Sequence, residues 1–117
     1  MSLWDRMRGG AAGGGVRRRA STGDSDHLRA WAGARIGVEA FIEPRTMVTE
    51  TTVVLVAKDG EWTRRRVSGP AAARKLARSL GIPIYDVQLL GYPKRMRDYD
   101  ARQRVLRDRE RRREFDR

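Results

Sequence analysis

Two strand-like segments separated by Asp59-Gly60 constrain the fold of this chain more than any other feature. Residues 51–57 are β-branched and apolar on both faces, and residues 62–67 form a second run that contains three consecutive arginines. Asp-Gly between such runs predicts a hairpin, because a type I′ turn needs positive φ at both central residues. A two-residue loop predicts three cross-strand pairs, namely Ala57 with Trp62, Leu55 with Arg64, and Val53 with Arg66.

Strand and helix patterns flank the hairpin on both sides. Residues 38–43 alternate until Pro44 interrupts them, which predicts a short strand at the edge of a sheet. Ser68-Gly69-Pro70 then precedes apolar residues at helical spacing, and Gly81 ends that helix. Alternation returns over 84–90 and predicts a fourth strand.

The last element is a helix with apolar residues at helical spacing up to Leu106. We expect its first half to dock and its second half, from residue 107, to extend into solvent or fray. The element order β-β-β-α-β-α predicts an α+β fold, a small and mainly antiparallel sheet with helices on one face and disordered termini.

Composition divides the chain into three parts. Residues 1–35 are rich in glycine and arginine and predict a flexible arm, in which Trp31 could form a helical turn packed on the core. Residues 36–106 predict a single α+β domain, and residues 107–117 a basic C-terminal helical extension.

The chain has no cysteine and carries a formal net charge of +11. Disulfides, thiolate chemistry and cysteine zinc sites are therefore excluded, and no segment is long and apolar enough to cross a bilayer. We expect a cytoplasmic protein that does not bind membranes. Only Lys58, Lys75 and Lys94 are lysine among the 26 basic residues. Codon usage in a GC-rich genome could explain that preference for arginine, but it does not remove the excess charge.

Catalytic and cofactor motifs are missing from the sequence. His27 is the only histidine, so no Ser-His-Asp or Cys-His set can form. The glycines of 9–15 lack the Lys-Ser/Thr of a phosphate-binding loop. Glu39 and Glu43 share one side of a strand, but acids in so basic a chain ordinarily balance arginines. We predict no enzyme, no catalytic residues, no cofactor and no metal site.

Basic residues interleaved with aromatic residues instead indicate a nucleic-acid-binding surface, because guanidinium groups hold phosphates and aromatic rings stack on bases. An alternative for the hairpin arginines is pairing with acids across the strands, or covering of the sheet. Tyr99 is a further candidate for stacking. The predicted nucleic-acid-binding residues are Trp62, Arg64, Arg65, Arg66, Arg74, Arg78, Tyr92, Lys94, Arg95, Arg97, Arg102 and Arg104.

Four blocks, at 38–46, 49–57, 59–67 and 91–97, resemble a group of small, basic, uncharacterised actinobacterial proteins. The resemblance covers about residues 38–99. Some proteins of that group are labelled oxidoreductase, although the resemblance supplies no active site. It implies a domain boundary rather than a function.

Three functions follow as hypotheses. The leading one is a non-catalytic nucleic-acid-binding accessory protein, acting on RNA or the ribosome, with arginines that contact phosphates. The alternative is an adaptor that binds an acidic protein through the hairpin or the C-terminal helix. An oxidoreductase-associated protein is a weaker alternative. The sequence does not distinguish RNA from DNA.

Overall fold

The computed structural model describes residues 21–116, so the part of the predicted arm before residue 21 lies outside the described residues. This part of the chain forms four strands and four helices. The strands are β1 (Glu39–Glu43), β2 (Thr52–Val56), β3 (Trp62–Arg66) and β4 (Ile84–Asp86). The helices are α1 (Thr22–Gly33), α2 (Pro70–Leu80), α3 (Val87–Leu90) and α4 (Lys94–Phe115).

The strands form one mixed sheet in the order β3-β2-β1-β4. β1 is antiparallel to β2 and parallel to β4, and β2 is antiparallel to β3. The predicted α+β class and mainly antiparallel sheet are confirmed. The prediction of β1 as an edge strand is wrong, because β1 pairs on both sides. Ala40, Phe41 and Ile42 are all buried, which is typical of a central strand that is covered on both faces.

The hairpin turns where the sequence predicts, but with a three-residue loop. The Ala57 N–H donates to the Glu61 carbonyl at 2.8 Å, and the Gly60 N–H donates to the Ala57 carbonyl at 2.9 Å. Gly60 has φ of +97°, and no described residue other than glycine has positive φ. This geometry is typical of a type I turn followed by a left-handed residue, so the predicted type I′ turn is wrong.

The longer loop shifts the predicted strand register by one residue. Val54 lies opposite Arg64, and Leu55 lies opposite Thr63. Because side chains alternate between the two faces of a strand, this shift places Arg64 on the opposite face from Leu55. The register therefore decides which face each arginine of β3 occupies.

Helices cover both faces of the sheet, not one face as the sequence predicted. On the first face, α1 and α2 pack through the buried residues Leu28, Trp31, Ala73, Leu76 and Ala77. On the second face, Met96 of α4 packs on Phe41, Val54 and Val56. The apolar run of β2 explains this arrangement, because consecutive apolar residues in a strand alternate between two faces that both need cover.

The flexible arm predicted for residues 1–35 is wrong for 22–33, which form α1. Ser21 caps this helix in a capping box with Asp24, and Leu28 has 0% of its surface exposed. Trp31 packs in the core, as predicted, with 8% exposed. The sequence did not predict this helix, because the glycine-rich segment before it dominates the composition of residues 1–35.

The predicted fourth strand over 84–90 is too long. β4 ends at Asp86, whose side chain accepts a hydrogen bond from the Gln88 N–H at 2.7 Å and so caps α3. α2 ends at Gly81 with φ of +69°, as predicted. α4 continues to Phe115, and its residues from 104 onward are exposed.

Candidate nucleic-acid interface

Arg64 of β3 is held by the carboxylate of Glu43 on β1, two strands away in the sheet. Its Nε and Nη2 donate to Glu43 Oε1 and Oε2 at 2.7 and 2.8 Å, which is a bidentate ion pair. Thr52 donates to Glu43 Oε1 at 2.6 Å, and the Tyr92 hydroxyl donates to Glu43 Oε2. The side chains of Arg64 and Glu43 are 31% and 16% exposed. The charge of Arg64 is therefore balanced within the protein.

This network changes the acidity of its members. Burial acts to raise the pKa of Glu43, but the hydrogen bonds from Arg64, Thr52 and Tyr92 outweigh it, so the pKa lies below its ordinary value. Burial and the hydrogen bond to Glu43 raise the pKa of Tyr92. Glu43 is thus ionised and Tyr92 protonated at neutral pH, as a structural ion pair requires.

The other two arginines of β3 are also half-buried. Arg65 Nε lies 3.7 Å from Asp24 Oδ1 on α1, and its side chain is 17% exposed. Arg65 also donates to the Arg64 carbonyl at 2.9 Å. Arg66 has partners within the protein as well. These contacts favour the alternative interpretation of the hairpin arginines, in which they stabilise the fold.

Trp62 lies where β3 meets α4. Its indole N–H donates to Asp100 Oδ1 at 2.8 Å, and the Arg64 guanidinium lies 5.1 Å from the ring centroid. One face of the ring is therefore already occupied by a cation. Trp62, Tyr99 and Arg104, all singled out in the sequence, meet around an open groove of about 520 Å³ that is also lined by Asp100 and Arg107.

Several basic residues in the first half of α4 that the sequence singled out also form hydrogen bonds or ion pairs within the protein. Arg95 donates to Glu39 Oε1 at 2.7 Å and to the Ala57 carbonyl at 3.0 Å, which anchors α4 to the hairpin. Lys94 pairs with Asp98 at 2.9 Å. Arg97 and Arg102 are exposed and donate to the carbonyls of Tyr92 and Asp59, which carry no compensating charge.

The outer face of α2 presents cations without carboxylates. Arg74, Lys75 and Arg78 are exposed, and they lie within about 100° of the helix circumference. Within residues 21–116 none of the three forms an ion pair or a side-chain hydrogen bond. Arg29 of α1 lies beside them and donates to Ser79 at 3.0 Å. We call this group of four residues the α2 basic face.

The exposed end of α4, residues 104–115, is the second group of available cations. Arg111 pairs with Asp108, and Arg113 pairs with Glu110. The remaining cations form no ion pair or side-chain hydrogen bond in the part of the chain that the structure describes, and they are Arg104, Arg107, Arg109 and Arg112. We call these four the α4 cations.

Two polar contacts that sequence reasoning missed join α1 and the loop after it to the hairpin. His27 Nε2 lies 2.7 Å from Thr63 Oγ1, and Arg35 forms a bidentate pair with Glu61 at 3.0 and 2.9 Å. Burial, and then the nearby charge of Arg65, lower the pKa of His27. No local signal reveals these contacts, because each partner lies 26 or more positions away in the sequence.

No protein-family model, curated protein or solved structure matches this chain. Among residues 21–116 no group of three or more histidine and carboxylate side chains could hold a metal ion. None of the helices described is long and apolar enough to span a membrane.

Proposed function

We propose that this protein binds nucleic acid through phosphate contacts made by the α2 basic face and the α4 cations. The observation that carries the proposal is the division of the basic residues into two populations. Arg35, Arg64, Arg65 and Arg95 pair with carboxylates, whereas α2 presents three exposed cations and has no acidic residue.

Unpaired exposed arginines favour a polyanion as partner. A phosphate that meets Arg64 would have to compete with the bidentate Glu43 carboxylate. A phosphate that meets Arg74 or Arg78 displaces only water and counterions, and it gains a charge-assisted hydrogen bond. The proposed interface therefore moves from the β3 arginines to the α2 face.

The energy available from such contacts is substantial. Each neutralised phosphate of duplex DNA releases about 0.9 counterions. Relative to 1 M salt, each phosphate contact therefore strengthens binding by roughly fivefold near 0.15 M salt. Three or four phosphate contacts amount to a factor of several hundred at physiological salt, and this contribution does not depend on the nucleic-acid sequence. Contacts to phosphates position a protein on nucleic acid without reading its sequence.

The test is fluorescence anisotropy with labelled RNA and DNA at low salt, comparing two variants of equal net charge. Arg74→Gln/Arg78→Gln removes two cations of the α2 basic face, and Arg45→Gln/Lys58→Gln removes two exposed cations elsewhere. The first variant should bind at least tenfold more weakly than the second. Equal affinities would exclude the α2 face, and no binding by the unmodified protein would exclude the function and favour an acidic protein partner.

A further inference from the structure

The open groove between β3 and α4 has a size and a lining that suit a small ligand. Its volume is about 520 Å³, which is in the usual range of small-molecule sites, and Trp62 forms its β3 side. Its α4 side is formed by residues that fall within about 140° of the helix circumference. They are Tyr99, Asp100, Gln103, Arg104 and Arg107. The groove is therefore large enough to receive one nucleotide.

The two aromatic rings of the groove are held in position by other side chains. The Trp62 indole N–H donates to Asp100 Oδ1 at 2.8 Å, and the Arg64 guanidinium lies 5.1 Å from the centroid of the Trp62 ring. The Arg102 guanidinium lies 5.8 Å from the centroid of the Tyr99 ring. Both aromatic side chains are half-buried and line the groove, so part of each ring remains accessible. Rings that are already ordered lose little conformational entropy when a base packs against them.

The polar groups beside these rings match the edge of an unpaired base. The Gln103 amide forms no hydrogen bond with any other residue of the described part of the chain, so it offers both a donor and an acceptor. Asp100 binds Trp62 through Oδ1, and its Oδ2 can accept from the exocyclic amino group of a base. Amide and carboxylate side chains read base edges in this way. The Watson–Crick edge is free for such contacts only when the base is unpaired.

Cations lie further along α4, beyond the part of the groove that suits the base. Arg104 and Arg107 are exposed and lie roughly 60° apart around the helix. Asp108 and Glu110 are bound by other arginines of α4, and Glu114 lies about 10 Å beyond Arg107 along the helix axis. A phosphate attached to a base in the groove therefore meets two guanidinium groups that no carboxylate of residues 21–116 binds.

We propose that this groove binds one unpaired nucleotide of a single-stranded nucleic acid. The base packs against the two rings, its edge meets Gln103, and its phosphate meets Arg104 and Arg107. The proposal rests on the phosphate-binding function proposed above and names the class of nucleic acid. The α2 basic face contacts phosphates of single strands and duplexes alike, whereas the groove accepts only a base that is not paired.

The test is fluorescence anisotropy at low salt with the full chain and three labelled probes. The probes are a single strand of about eight nucleotides, an abasic strand with the same number of phosphates, and a duplex of the same sequence. DNA and RNA versions are both used. The unmodified protein should bind the single strand at least fivefold more tightly than the abasic strand, because stacking on an aromatic ring and hydrogen bonds to a base edge each contribute roughly fivefold or more.

Two variants and a matched control locate the contact. Gln103→Ala keeps the net charge, and it should weaken binding of the single strand by roughly fivefold while leaving duplex binding unchanged. Arg104→Gln/Arg107→Gln removes the cations of the groove, and Arg109→Gln/Arg112→Gln removes two cations from the opposite side of α4. The first double variant should bind the single strand at least fivefold more weakly than the second. Unchanged melting temperatures check that the variants fold, because all five side chains lie on the exposed or half-buried surface of α4.

Four results would overturn the proposal. They are equal affinity for the base-bearing and abasic strands, equal effects of Gln103→Ala on single strand and duplex, equal affinities of the two double variants for the single strand, and an affinity for adenosine monophosphate as high as that for the single strand. The last result would assign the groove to a free nucleotide. A protein that binds neither strand nor duplex at low salt would instead contradict the proposed function itself, so the two failures are distinguishable.

Discussion

Replacing Arg64 with glutamine should destabilise the fold without weakening nucleic-acid binding. The substitution removes two charge-assisted hydrogen bonds of 2.7 and 2.8 Å to Glu43, whose side chain is only 16% exposed. Exposed ion pairs contribute about 0–1 kcal/mol, and breaking fully buried ones costs about 3–5 kcal/mol. Arg64 is 31% exposed, so we expect an intermediate loss of about 2 kcal/mol.

For a domain of this size a loss of about 2 kcal/mol lowers the melting temperature by roughly 10 °C. Arg74→Gln is the matched control, because Arg74 is exposed and unpaired within residues 21–116, and it should change stability by less than about 0.5 kcal/mol. Thermal and urea denaturation at pH 7 measure both variants. Equal melting temperatures for the two variants would refute the assignment of Arg64 to the fold.

The pH dependence of the same pair gives an internal check. The pKa of Glu43 is lower in the folded state than its ordinary value of 4.5. The stabilisation that ionised Glu43 contributes is therefore complete above pH 4.5, and it is lost as the pH falls through the folded-state pKa. The difference between the unmodified protein and Arg64→Gln should therefore shrink in acid. A difference that stays constant from pH 7 to pH 3 would show that the ion pair is not its source.

Further predictions concern the packing of the fold. Gly60→Val should cost more than about 2 kcal/mol by denaturation, because a Cβ at Gly60 would lie 2.1 Å from the Arg95 carbonyl oxygen and φ is +97°. Met96→Ala should cost about 2–4 kcal/mol, since Met96 is buried against Phe41, and a smaller loss would show that α4 does not dock there. His27 has a lowered pKa, so stability should fall as the pH drops below about 6.5, and His27→Gln should flatten that part of the profile.

Local signals in the sequence predicted the elements better than their arrangement. The Asp-Gly turn, the early proline of α2 and the glycine that ends it all act through φ of single residues, and each marks the correct place in the chain. The register of the hairpin could not be read in this way. Loops of two and three residues both accept Asp59-Gly60, and the choice between them moves every arginine of β3 to the other face.

Long-range contacts account for the remaining differences. The central position of β1 depends on β4, which lies about forty positions further along the chain. The partners of Arg64 and Arg65 lie on β1 and α1, so the sequence could show that acids were present but not which arginines they bind. For the candidate site, the sequence identified Arg74 and Arg78, and only the structure separates them from the paired arginines of β3.

The salt dependence of binding tests the central claim most directly. Affinity for a labelled DNA duplex is measured from low to moderate salt for the unmodified protein, for Arg74→Gln/Lys75→Gln/Arg78→Gln and for Arg64→Gln, all at a temperature where each is folded. If the α2 cations contact phosphates, the slope of log affinity against log salt should fall by about 0.9 for each phosphate that the triple variant no longer neutralises, roughly 2 to 3 in total, and should be unchanged in Arg64→Gln. A lower slope in Arg64→Gln together with an unchanged slope in the triple variant would contradict the division of the arginines into paired and available groups.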